Sequence, residues 1–147
     1  MSEEQSLPFG MIARRMNSEV FRVLKKRIRE QAKVKLTIDQ YGLLLSINRE
    51  PDDVIQKNMA EAMGKDQSAI LKLTDLLEKK ELVRRVPGAS DRRKNYLMIT
   101  KKGERVLEQY LKIELELIDE VQQGLTKREV VAFYKIMNKI KANAEKL

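Results

Sequence analysis

The chemistry most evident in this 147-residue chain is that of cations. Between Lys79 and Lys94 stand Lys79, Lys80, Arg84, Arg85, Arg92, Arg93 and Lys94 against Glu81 and Asp91, a local charge of +5 in 16 residues. The chain as a whole carries 30 Lys and Arg against 22 Asp and Glu, a net +8. A basic stripe of this density suits a polyanion, because permanent positive charges attract phosphates whatever sequence they belong to. The bland alternative is a solvated turn with a local Asp91–Arg93 pair of little energetic consequence.

Missing residue types bound the other possibilities. Cys, His and Trp are all absent, which excludes disulfides, thiol and imidazole catalysis and the usual zinc ligand sets. No nucleophile stands with a base, no glycine loop is built to cradle phosphate and no carboxylate pair has catalytic spacing. No enzymatic activity, cofactor or metal is therefore expected, and Asp52 and Asp53 read as turn residues after Pro51. No apolar run approaches the ~18 residues a membrane span needs. The opening Met-Ser-Glu-Glu-Gln is acidic where a signal peptide would be basic and then apolar, so the expected compartment is the cytoplasm.

The elements that must position the cations follow from periodicity. Pro8 opens a long helix with Ile12, Met16, Val20, Val23, Leu24 and Ile28 on one face. Thr37 and Gln40 have capping-box spacing and start a second helix carrying Tyr41, Leu44 and Leu45. Val54 and Ile55 read as a very short strand, and Met59, Ala60 and Met63 as a short helix stopped by Gly64. Asp66 caps the next helix, where Ile70, Leu73 and Leu77 line one side while Lys65, Ser68, Lys72 and Asp75 point the opposite way. Leu82–Val86 and Tyr96–Ile99 are two strands joined by a turn beginning at Pro87, a hairpin with a basic tip. Thr100 caps a helix bearing Val106, Leu107, Tyr110, Leu111, Leu117, Ile118 and Val121. A Thr126–Glu129 capping box opens the last helix, with Val130, Phe133, Tyr134, Met137, Ile140 and Ala144 along one side. The predicted fold is mainly α: a winged helix-turn-helix lobe over residues 37–99 with a small β-hairpin wing, flanked by long helical regions at 8–31 and 100–147.

The string from Ile55 to Glu104, and above all Leu82-Val83-Arg84-Arg85, Asp91-Arg92-Arg93 and Thr100-Lys101-Lys102-Gly103 in that spacing, resembles the MarR (multiple antibiotic resistance regulator) family of winged-helix transcription factors. The resemblance extends over nearly the whole chain. It implies that Arg93 probes the DNA minor groove with Asp91 holding it, and that Arg92 and Lys94 meet phosphates. A guanidinium suits a narrow minor groove because the negative potential there is enhanced. In the recognition helix Gln67, Ser68 and Lys72 occupy the free face near the N-terminus, where side chains reach base edges, and Lys65 adds a backbone contact. Two residues depart from the family pattern. Ile55 stands where a Ser or Thr cap is common, and Leu71 replaces a small hydroxyl residue, so Leu71 either touches a thymine methyl or is partly buried against its neighbours.

The terminal helices fit either a monomeric core or a dimer, and the dimer is favoured because they exceed what a small winged helix requires. A C2 dimer sets two recognition helices about one DNA turn (~34 Å) apart, or a multiple of it, over a pseudo-palindromic site. Tyr110 and Tyr134 fit that interface or a ligand cleft, with the interface favoured. The expected function is a homodimeric, sequence-specific regulator of transcription bound to double-stranded DNA, with no membrane association. The resemblance further implies repression relieved by a small anionic or aromatic effector. The alternatives are a winged-helix module that docks its basic hairpin on an acidic protein, and a non-specific DNA packager. With no Cys, a thiol-oxidation switch is excluded, and methionine oxidation is the redox chemistry that remains.

Overall fold

A computed structural model describes residues 8–49, 54–55, 59–60, 63–88 and 95–147. Its elements run α1 (Phe9–Gln31), α2 (Ile38–Arg49), β1 (Val54–Ile55), α3 (Gln67–Lys79), β2 (Val83–Pro87), β3 (Asn95–Ile99), α4 (Lys101–Val121) and α5 (Lys127–Ala144). The fold is mainly helical, with a winged helix-turn-helix in its middle. The chain forms two compact units, residues 1–114 and 115–147. No helix of the described residues is long and apolar enough to cross a membrane. Pro51, Asp52 and Asp53 lie outside the described residues.

In the first unit, Pro8 stands just ahead of α1 and its carbonyl accepts from Met11 N at 2.9 Å. Only the later half of the α1 stripe is covered: Leu24 and Ile28 are buried, whereas Ile12 and Met16 are exposed. The helix closes without a glycine. Lys35 Nζ instead donates to the carbonyls of Ile28 (3.3 Å), Arg29 (2.7 Å) and Ala32 (2.5 Å), placing a cation on the negative end of the helix.

The expected capping box opens α2, with Gln40 N donating to Thr37 Oγ1 at 3.1 Å and Thr37 N to Gln40 Oε1 at 3.0 Å. Tyr41, Leu43, Leu44 and Ile47 of α2 form the centre of the core with Ile70 and Leu77 of α3, Val83 of β2 and Leu97 of β3. The three strands are ordered β1-β3-β2 and antiparallel, with Val54 opposite Leu97 and Arg85 opposite Leu97 from the other side.

β2 begins one residue later than the sequence pattern suggests. Leu82 belongs to the turn that ends α3, in which Glu81 has φ 62 and Leu82 N reaches back to Leu77 O at 3.0 Å. This is a Schellman-type close with a non-glycine residue in the left-handed position.

α4 starts against that turn. Thr100 Oγ1 accepts from Gly103 N at 3.0 Å and itself donates to Glu81 O at 2.7 Å. A Cβ on Gly103 would stand 2.1 Å from Leu82 O, so only glycine fits this contact. Further along α4, Tyr110 is buried within its own lobe. Its hydroxyl donates to Val34 O (2.8 Å) and accepts from Leu36 N (2.7 Å), and its ring lies 5.1 Å from that of Tyr41. This corrects the preference for Tyr110 at an interface between chains: the phenol satisfies the backbone of the α1–α2 link and leaves almost no surface, 1% exposed.

In the second unit, Gly124 takes φ 86 in the turn between helices. The Thr126–Glu129 capping box is complete: Glu129 N donates to Thr126 Oγ1 at 3.1 Å and Thr126 N to Glu129 Oε2 at 2.7 Å. None of α5 is buried. Phe133, Tyr134, Ile136, Met137 and Ile140 are all exposed, with the Phe133 and Tyr134 rings edge to face at 5.9 Å.

Candidate nucleic-acid interface

The free face of α3 is created by how its other face is used. Ile70, Thr74 and Leu77 are wholly buried, and Thr74 Oγ1 satisfies itself on Ile70 O at 2.7 Å. Helical geometry then turns Gln67, Ser68, Leu71, Lys72, Asp75, Leu76 and Lys79 to solvent.

The N-terminus is fixed by two residues before it. Gly64, at φ 62, ends the preceding helical residues, and Lys65 N donates to Ala60 O at 3.0 Å. Asp66 is the N-cap: its Oδ1 accepts from Ala69 N at 2.7 Å and from Ser68 Oγ at 2.8 Å. The Ala69 bond first, and the Ser68 bond second, hold the Asp66 carboxyl below the usual carboxylate range.

The candidate residues are placed unevenly. Gln67, Leu71 and Lys72 project from the first two turns of α3 into solvent. Leu71, read from the sequence as either touching a thymine methyl or partly buried against its neighbours, is 45% exposed. Ser68 is exposed, with its hydroxyl proton committed to Asp66 and its oxygen left to accept. Lys65 is half-buried and its Nζ lies 3.3 Å from Asp39 Oδ2, tying the turn to the start of α2. Asp91, Arg92, Arg93 and Lys94 lie outside the described residues.

The base of the wing reveals a residue that charge counting misread. Arg85 is not part of an open basic stripe. Its Nη1 donates to Glu78 Oε1 at 2.7 Å, its Nη2 to Asp75 Oδ1 at 2.5 Å and its backbone N to Glu78 Oε2 at 3.2 Å. The guanidinium thus fastens β2 to α3 and is neutralised there, while its neighbour Arg84 is exposed. The signal was available in the strand period: Arg85 shares the inward face with Val83, and Asp75 and Glu78 are three apart on α3.

A helix whose capped N-terminus and polar side stand free, braced by a two-stranded wing, defines a winged helix-turn-helix protein. Residues 36–94 match the MarR family model. The fold is also that of solved MarR-type regulators. The repressor CouR bound to a 23-mer DNA duplex is similar at a TM-score of 0.83 and 25% identity over 96% of this chain and 97% of that one. BpsR of Bordetella bronchiseptica, whose DNA binding is regulated by 6-hydroxynicotinic acid, gives 0.80 and 20% over 92% and 94%. Apo MarR of E. coli gives 0.75 and 23% over 91% and 97%.

Proposed function

We propose that the protein is a sequence-specific transcriptional regulator, a cytoplasmic homodimeric repressor that reads a pseudo-palindromic double-stranded DNA site without catalysis. The observation that carries this reading is the α3 face: Gln67, Ser68, Leu71 and Lys72 free at the N-terminal end of a helix whose opposite side is buried. In this reading α3 enters the major groove, where Gln67 and Ser68 meet base edges, Leu71 a thymine methyl, and Lys72 and Lys65 phosphates. Arg93 at the wing tip enters the minor groove with Asp91 as its brace, and Arg92 and Lys94 contact the backbone. The lobe is residues 37–99, and the regions 8–31 and 100–147 clasp a second copy.

The uncovered apolar side of α5 and the exposed Phe9, Met11, Ile12 and Met16 of α1 support the dimer, since a soluble monomer rarely leaves so much apolar surface open. For an effector, a cleft of about 630 Å³ walled by Phe21, Ile28, Leu36 and Ile38 also carries three cations, Lys25, Arg29 and Lys35, against one carboxylate, Asp39. That combination suits a small aromatic anion.

Selection from a random duplex pool, with and without aromatic carboxylates, tests the reading. The expected result is enrichment of an inverted repeat whose half-sites lie about one helical turn apart. Equal recovery of all duplexes would mean a packager, and no recovery would favour docking on an acidic protein.

A further inference from the structure

A second cluster of cations lies away from the α3 reading face. Lys102, Arg105, Gln109 and Lys112 recur along α4 at intervals of three and four, so they share one side of the helix, with Lys102 and Lys112 ~15 Å apart along its axis. The link after α1 supplies the facing wall, Lys33 and Val34. Gln109 pins that wall: its Oε1 accepts from Lys33 N and its Nε2 donates to Gln31 O, both at 3.2 Å. Buried Val106 lies at the floor.

The groove is open to solvent and spans about 590 Å³, and four cations line it against one carboxylate, Glu108. Lys102 is engaged, donating to Lys80 O at 3.0 Å and standing 3.8 Å from Glu81 Oε2. Among the described residues, no carboxylate forms an ion pair with Lys33, Arg105 or Lys112. Four cations with few carboxylates among them repel one another, and an anion bound between them lowers that cost.

We propose that this groove binds a phosphate-bearing organic anion of nucleotide size with more than one phosphate charge. The Arg105 fork matches phosphate oxygens in pairs, and the ~15 Å row accommodates successive charges. The Val34–Val106 floor takes the organic part. Duplex DNA is the poorer occupant. The groove opens beside the C-terminal end of α3, where Lys102 meets Lys80, ~20 Å along the helix from the Asp66–Ser68 end.

The test is calorimetric titration of the full chain, without DNA, using ATP, inorganic tripolyphosphate and benzoate as probes. Saturable binding of one ATP per chain is expected, tighter than tripolyphosphate, with no binding of benzoate at this groove. R105Q/K112Q should weaken ATP about tenfold, whereas K139Q/K146Q, which removes equal charge near the C-terminus, should stay within about twofold. If R105Q/K112Q fails to fold by circular dichroism, Lys33→Gln on the opposite wall carries the same expectation. Absence of saturable ATP binding at millimolar concentration overturns the proposal, as does equal weakening by the two double variants, which would mark attraction to net charge alone.

Discussion

Arg85 on β2 grips Glu78 on α3 twice, through its side chain at 2.7 Å and its own backbone N–H at 3.2 Å. One strand residue therefore ties β2 to α3 through both its side chain and its backbone. Arg85→Ala should lower stability by about 1 kcal/mol, since the pair is partly exposed, yet weaken operator binding by about tenfold through lost alignment. Its mark as a positioning residue is the salt dependence. The log-log slope of affinity against salt should stay as in the wild type, and Arg85→Lys should restore part of the affinity.

Lys72→Ala should behave in the opposite manner. A phosphate contact contributes about −0.9 to the salt slope, so its loss should flatten the slope by that amount per half-site while sequence preference is retained. Binding isotherms at several salt concentrations decide the matter, and an unchanged slope would remove Lys72 from the phosphate-contacting set.

The turn between α3 and β2, against which α4 starts, offers two glycine experiments of opposite sign. Glu81 holds φ 62, a conformation costly for any residue with a Cβ, so Glu81→Gly should raise stability by about 1 kcal/mol. Gly103→Ala should lower it by more than about 2 kcal/mol, because a Cβ 2.1 Å from the Leu82 carbonyl forces the two elements apart. Urea denaturation of both variants reads the difference directly.

Alkaline pH should expose the Tyr41–Glu114 contact. Burial first, and the hydrogen bond to the Glu114 carboxylate second, raise the Tyr41 hydroxyl above the ordinary phenol range. A raised folded-state value means the contribution is complete below the unfolded value of about 10 and is lost as pH climbs from there toward the folded value. Stability measured from pH 9 upward should fall less steeply in Tyr41→Phe than in the wild type.

Phe133→Asp combined with Ile140→Asp places charge on the uncovered side of α5. Sedimentation should then shift from dimer to monomer, and operator affinity should drop, while the far-ultraviolet dichroism of the helices is preserved. A wild-type chain that sediments as a monomer would refute the dimer itself.

Most of the architecture was legible because local chemistry and global fold agree: Thr37–Gln40, Asp66 and Thr126–Glu129 all cap the helices that their spacing announces. The candidate reading face was legible for the same reason, since burying Ile70 and Leu77 leaves Gln67 and Lys72 outside. Arg85 was misread because net charge carries no information about which cations are already paired across elements. Tyr110 was misread because a tyrosine in an apolar helical stripe looks alike whether it packs on its own chain or another; only the placement of the Val34–Leu36 link distinguishes them.

The near-contact of Gly103 with the Leu82 carbonyl has a mechanical corollary. With no gap to absorb movement, and with Thr100 bonded to the same turn, the first turn of α4 cannot shift without carrying the root of the hairpin along, as a hinge pin carries its leaf.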